Sequence, residues 1–165
     1  MSFVYVQEIP MPAEILADMP LDKDLEEIKT RRDQEIKDVF TKKSGKFLLI
    51  IGPCSAHDED AVCDYISRLA RAQELVRDKI VIIPRIYTNK PRTTGSGYKG
   101  MAHQPDPQEA PNMVRGIQAI RKMHIRALRE SQLPAADEML YPGNYPYLED
   151  VLSYVAVGAR SVENQ

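Results

Sequence analysis

FLLII (residues 47–51) runs directly into GPCSAHD (52–58), and IVIIPRIY (80–87) runs directly into TNKPRTTGSGYKG (88–100). Each joins a short, continuous apolar run to a polar segment rich in glycine, proline and hydroxyl side chains. An apolar run without alternation suits a strand buried on both faces. Between the two, Asp58 can cap a helix over about 59–77. The unit reads as strand, helix, second parallel strand.

Working outward, the pattern repeats. A helix is predicted over 112–130, with Met113, Ile117, Ile120 and His124 near one face. PAADEML (134–140) reads as a third strand, a Pro/Gly/Asn/Tyr turn leads to a helix over 145–156, and AVGARSVEN (156–164) carries a fourth strand. On the other side, residues 21–43 carry apolar positions at Leu25, Ile28, Ile36, Val39 and Phe40 among many charges. That suits an amphipathic helix ended by Ser44 and Gly45. Residues 1–20 are proline-rich without a clear period and read as an extended arm lying on a partner or on the main domain. The chain therefore divides into an arm and amphipathic helix (1–45) and a strand–helix domain (46–165). Repeated strand–helix units imply a parallel α/β sheet, and pattern alone leaves both a barrel and an open sheet available.

Composition narrows the function. A chain of 165 residues with 43% hydrophobic residues can bury one core, and 28% charged residues with a net charge of −2 is not the profile of a disordered or broadly nucleic-acid-binding chain. Two cysteines, Cys54 and Cys63, make no disulfide framework. MSFVYVQEIPMPAE lacks a basic start followed by a long apolar run, so no signal peptide is expected. The longest apolar stretch, 47–51, is too short to span a bilayer. The expected setting is a reducing cytoplasm, with neither nucleic acid nor membrane as partner.

The polar residues fall where the strands end. Between Asp78 and Asp106 there is no acidic residue, yet Lys79, Arg85, Lys90, Arg92 and Lys99 all lie there. Arginine forks and lysine point charges grip phosphate or carboxylate, and Thr93, Thr94, Ser96 and the nearby glycines add hydroxyls and approachable amides. A small, doubly anionic ligand fits such a segment; a solvated basic loop is the plainer alternative. Cys54, directly after Gly-Pro, reads either as a small buried hydrophobe or as a thiolate metal ligand with His57 nearby. Cys63 reads as structural. Glu138 beside Asp137 reads as a paired-carboxylate acid/base site or as a solvated carboxylate. His103 and His124 read as surface or helix-face residues without evident partners.

IGPCSAHD, RIYTNKPRTT followed by YKG, LPAADEML and VGARSVENQ, in this order and at this spacing, resemble the class I 3-deoxy-D-arabino-heptulosonate-7-phosphate (DAHP) synthases over about residues 28–165. The resemblance implies a partial (β/α)8 TIM barrel, about its first four strand–helix units, with an N-terminal helical extension. It implies a transferase that condenses phosphoenolpyruvate with erythrose 4-phosphate, opening the shikimate pathway to aromatic amino acids. Lys90 and Arg92 would be catalytic. Arg85, Lys90, Arg92, Thr93, Glu138, Gly158, Ala159 and Arg160 would bind substrate, and Cys54 would be a metal ligand.

The resemblance implies a divalent metal (Mn, Fe, Co or Zn) that also takes a histidine, a glutamate and an aspartate from the family's C-terminal half. A barrel of this type needs roughly 250 residues. The expectation is therefore the first half of a synthase domain that is inactive alone, holds no stable metal, meets a complementing C-terminal half and forms a homo-oligomer. The alternative is a non-catalytic phosphate-binding or interaction module keeping the half-barrel. YPGNYPYL (141–148) departs from the segment that helps form the aromatic amino-acid site of feedback-regulated members, so no effector is implied.

Overall fold

The computed structural model describes residues 7–88, 98, 100–139 and 142–157. Its elements follow in the order α1 (Pro12–Asp18), α2 (Lys23–Phe40), β1 (Phe47–Ile51), α3 (Glu59–Val76), β2 (Ile80–Pro84), α4 (Met113–Ser131), β3 (Ala136–Glu138), a 3-10 helix (Pro142–Tyr147) and β4 (Tyr154–Ala156). β1 pairs with β2 in parallel from Phe47↔Ile80 to Ile51↔Pro84, and β3 pairs with β4 in parallel from Ala136↔Tyr154 to Glu138↔Ala156. A parallel bridge, Arg85↔Ala136, joins the two pairs. All four strands point the same way, in chain order.

The long helices begin where their caps dictate. The carboxylates of Asp22 and Asp58 accept the amides of Leu25 and Ala61, each at 2.9 Å, and the Asn112 side chain accepts the Arg115 amide at 3.0 Å. Each contact satisfies one of the orphan donors of a first turn. The Leu25 amide and then Arg129, 2.9 Å away, hold the Asp22 carboxyl below the usual carboxylate range. α4 ends at Gln132 in the left-handed region (φ 56°), its amide returning to the Leu128 carbonyl.

Ile117, Ile120, Met123 and Leu128 of α4 form a core with Val62, Cys63 and Ile66 of α3, reached from the N-terminal side by Ile15 and Leu25. A smaller cluster sets Val81 and Ile83 of β2 against Ile36 and Val39 of α2. Gly116 lets α4 meet the 101–102 backbone: a Cβ there would collide with the Ala102 carbonyl.

β2 carries two kinds of edge. Its odd-numbered amides face β1, as the Arg85 amide to the Ile51 carbonyl at 2.9 Å illustrates. On the opposite edge β3 begins too late to cover the start of β2. The buried Gln73 of α3 takes its place, donating to the Ile80 carbonyl at 2.8 Å and accepting the Ile82 amide at 2.7 Å. A side-chain amide thus does locally what a neighbouring strand does elsewhere.

Four expectations are corrected. The arm is not extended throughout, because Pro12 sits at the start of α1, where its missing N–H costs nothing, and Glu14 accepts the Met11 amide at 2.7 Å. β1 is not buried on both faces: Phe47 is 67% exposed and Ile51 37%, since among the described residues β1 has a strand neighbour on one edge only. Phe40, expected on the apolar face of α2, is likewise exposed. No α-helix spans 145–156. The segment instead forms the 3-10 helix over Pro142–Tyr147 and a single turn over Leu148–Leu152. β4 lies at 154–156, at the edge of the 156–164 stretch expected to hold it, and 158–165 are outside the described residues. No helix among the described residues is long and apolar enough to cross a membrane.

A buried guanidinium ties down the arm, together with the Tyr147 hydroxyl, which donates to the Pro10 carbonyl at 2.8 Å. Arg121 of α4 is fully buried and donates to the Met19 carbonyl at 2.7 and 2.9 Å, to the Tyr147 carbonyl at 3.1 Å, and to both Asp150 oxygens at 2.6 and 2.8 Å. The fork matches the carboxylate, and the carbonyls satisfy the remaining donors, which is the condition for a buried ion pair to hold. Arg121→Leu should lower the unfolding free energy by about 3–5 kcal/mol, the usual cost of stranding a buried partner. Arg68→Ala, at a pair whose side chains are 72% and 60% exposed, should cost less than about 1 kcal/mol. Urea denaturation compares the two, and equal losses would contradict the role given to Arg121.

Candidate functional site

Parallel register decides which residues meet. Pairing Ile51 with Pro84 places the 52–58 loop beside Arg85; bridging Arg85 to Ala136 places Arg85 near the end of β3; pairing Glu138 with Ala156 brings in the end of β4. The C-terminal ends of all four strands thus share one rim, where parallel α/β folds bind ligands.

Arg85 sits at the centre of this rim and is held from two sides. Its Nε donates to the Pro53 carbonyl at 3.2 Å, and its guanidinium carbon lies 4.4 Å from the centroid of the Tyr87 ring. A cation over a ring face is favoured electrostatically and is held flat. Burial pushes the Tyr87 phenol above its ordinary range; the Arg85 cation opposes this, and the nearby Glu138 and Asp137 carboxylates add to it. Tyr87 and its charged neighbours therefore feel one another across the rim. Gly52 permits the close approach of β1 to Arg85, since a Cβ there would strike the Arg85 backbone. The Ala56 amide, donating to the Tyr87 carbonyl at 2.8 Å, closes the 52–58 loop onto the continuation of β2.

Cys54 lies exposed on this loop, whereas Cys63 is buried in α3, as its reading as structural expects. The His57 and Tyr98 rings meet edge to face at 6.0 Å. A cavity of about 370 Å³ opens between Pro53, Ser55, His57 and Tyr65. Among the described residues no three His, Cys, Asp or Glu side chains gather as a metal site would need. A divalent transition metal usually takes at least three protein ligands, so the described donors around Cys54 do not by themselves fit one.

Of the residues singled out in the sequence, Cys54, Arg85 and Glu138 come to the rim. Lys90, Arg92, Thr93, Gly158, Ala159 and Arg160 lie outside the described residues. Asp137 and Glu138 do not form a carboxylate pair. Side chains alternate along a strand, and Asp137 turns inward to complete burial while Glu138 stays half-buried. His124 is corrected too: it is fully buried and meets the Asp137 carboxylate at 3.2 Å. Tyr87 and Thr88 carried no sequence signal beyond their place between a strand and a basic loop.

These features define a parallel α/β chain with a cation-bearing rim at its strand C-termini. The sequence matches the profile of the DAHP synthetase I family over residues 23–165, and the chain belongs to that family. It is 33% identical over 163 residues to a phospho-2-dehydro-3-deoxyheptonate aldolase of Corynebacterium glutamicum, covering 98% of this chain and 44% of that protein. It is 35% identical over 148 residues to the phenylalanine-inhibited enzyme of that name from Saccharomyces cerevisiae, covering 90% of this chain and 39% of that protein. The structure of the Francisella tularensis phospho-2-dehydro-3-deoxyheptonate aldolase superposes with a TM-score of 0.88 at 28% identity, over 99% of this chain and 48% of that one. The chain thus spans less than half the length of these relatives.

The two thiols should behave differently. Burial pushes the Cys63 thiol up to about 11 from 9.0, so near pH 8 it holds almost no thiolate, the reactive form. A raised folded-state value favours the protonated thiol; its stabilising effect is whole below about pH 9 and is lost as pH climbs towards 11. A chromogenic disulfide reagent at pH 8 should label Cys54 on the native chain and Cys63 only after denaturation. Two equivalents released together from the native chain would contradict this.

Proposed function

We propose that this chain supplies the phosphoenolpyruvate-binding part of a DAHP synthase, and that its four parallel strands are the opening units of a (β/α)8 barrel. The observation that carries the reading is Arg85, fixed on the rim by the Pro53 carbonyl and the Tyr87 ring and lying near Glu138. It stands at the head of the basic stretch that runs on to Lys90 and Arg92. The likeness to full-length phospho-2-dehydro-3-deoxyheptonate aldolases supports the same assignment.

In this reading Arg85, Lys90 and Arg160 hold the phosphate and carboxylate of phosphoenolpyruvate. The backbone of Gly158 and Ala159 takes phosphate oxygens, and Glu138 lies against that substrate. Arg92 and Thr93 face erythrose 4-phosphate, with Arg92 near both ligands. The cations bring together two anions that would otherwise repel, and hold them for reaction. C3 of the enol attacks the aldehyde carbon, water adds at C2, and inorganic phosphate leaves from C2. Cys54 would give one thiolate to a divalent ion whose remaining ligands belong, in this reading, to the second half of the barrel. The chain alone is expected to turn over no substrate.

The anion site itself is open to test without turnover. Arg85, Lys90 and Arg92 lie close together in sequence, just after β2. Charge-assisted contacts contribute roughly 1.5–3 kcal/mol each, and an open, wet site offsets much of this. Phosphoenolpyruvate should bind with Kd on the order of 1 mM, about −4 kcal/mol. In an NMR titration Lys90→Ala and Arg160→Ala should each abolish binding, whereas Lys79→Ala, at the opposite end of β2, should not. No binding, or equal loss from all three substitutions, would refute the reading.

A further inference from the structure

Arg85 and Tyr87 stand on a backbone that is pinned from both sides. The Arg85 amide donates to the Ile51 carbonyl at 2.9 Å, the Ile86 amide donates to the Ala136 carbonyl at 2.8 Å, and the Tyr87 carbonyl accepts the Ala56 amide at 2.8 Å. Side chains two apart along an extended chain share a face. On this face Val81 and Ile83 cluster with Ile36 of α2, and beyond them the Arg85 guanidinium carbon lies 4.4 Å from the centroid of the Tyr87 ring. The contact is made by neighbours whose backbone is already fixed.

What the guanidinium can still do follows from what is already taken. Its N–H donors lie in one plane and form two forks: Nε with one terminal nitrogen, or the two terminal nitrogens together. The Pro53 carbonyl accepts from Nε at 3.2 Å and so closes the first fork. The Tyr87 ring covers one face. The terminal nitrogens have no acceptor among the described residues, and no ion pair joins Arg85 to Glu138. One edge is left open, with Nη1 and Nη2 side by side. That edge matches two oxygens of a carboxylate or a phosphate. Ordering a flexible arginine around an arriving anion lowers affinity, and a guanidinium already held in its plane avoids that loss.

We infer that Tyr87 is a positioning residue: its ring, together with the Pro53 carbonyl, presets Arg85 as an end-on fork that takes two oxygens of an anionic ligand through Nη1 and Nη2. This deepens, and rests on, the phosphoenolpyruvate reading above, to which it adds the residue that prepares the arginine.

The test titrates the full chain by NMR with phosphoenolpyruvate and, separately, with inorganic phosphate, and records the order parameter of the Arg85 Nε–H. Thermal melts fix a temperature at which every variant is folded. Tyr87→Leu should weaken both anions about fivefold. Its Arg85 Nε–H should become mobile on the ps–ns timescale while the Arg85 backbone amide stays protected. Tyr87→Phe keeps the ring face; it should bind within about twofold of the native chain and keep the Nε–H rigid. Arg85→Lys keeps the charge without the fork and should weaken both anions about tenfold or more. Gln73→Leu, at the other end of β2, should lower the melting temperature yet leave affinity within about twofold.

Four results would each overturn the inference while the phosphoenolpyruvate reading stands: native affinity or a rigid Nε–H in Tyr87→Leu, a loss in Tyr87→Phe as large as in Tyr87→Leu, native affinity in Arg85→Lys, or an equal loss in Gln73→Leu. If inorganic phosphate binds with the expected dependence on Tyr87 but phosphoenolpyruvate does not bind, that reading falls and the fork is upheld. Binding of neither anion overturns both.

Discussion

The Ile86 amide donates to the Ala136 carbonyl, and with the Arg85–Ala136 bridge this contact makes one parallel array out of two strand pairs. Everything placed at the rim depends on it. β1 and β2 alone would bring Cys54 and Arg85 together; β3 and β4 alone would bring Glu138 beside Ala156. Only the junction sets Arg85 near Glu138. It is also a sparing junction. Among the described residues no strand lines most of β2's second edge, and Gln73 satisfies the backbone there instead. On that edge strand pairing is therefore confined, among the described residues, to the C-terminal end of β2.

Much of this was legible in the sequence because it rests on local rules. The continuous apolar runs at 47–51 and 80–84 gave two strands; Asp58 and Asn112 marked helix starts by their capping chemistry. Of the basic, acid-free stretch that begins at Lys79, Arg85 stands on the rim. The segments that misled did so for local reasons of another kind. The proline-rich residues 1–20 read as an extended arm, yet Pro12 sits at a helix start, where it is favourable. The helix expected over 145–156 gives way to a 3-10 helix over Pro142–Tyr147 and one further turn.

What the sequence could not disclose is long-range pairing among polar side chains. His124 falls on the apolar face of α4 by spacing, and nothing local predicts that Asp137 waits opposite it. Asp137 and Glu138 are neighbours in sequence and so invite reading as a pair; strand alternation separates them to opposite sides. Arg121 is one of several arginines on α4, distinguished only by the carbonyls of Met19 and Tyr147 and the carboxylate of Asp150 that converge on it. Burial of a charged group is decided by partners far along the chain, and those partners appear only once the fold has brought them in.

The central claim is that β2 and β3 are hydrogen-bonded neighbours whose ends form a single rim. Residue-resolved native-state amide exchange addresses it directly, because β2 alternates its amides between its two edges. Val81, Ile83 and Arg85 report on β1, Ile82 on Gln73, and Ile86 on Ala136. The account predicts that the Ile86 amide is protected to nearly the same degree as Val81 and Ile83. Rapid exchange at Ile86, with Val81 and Ile83 still protected, would mean two independent strand pairs and would contradict a shared site.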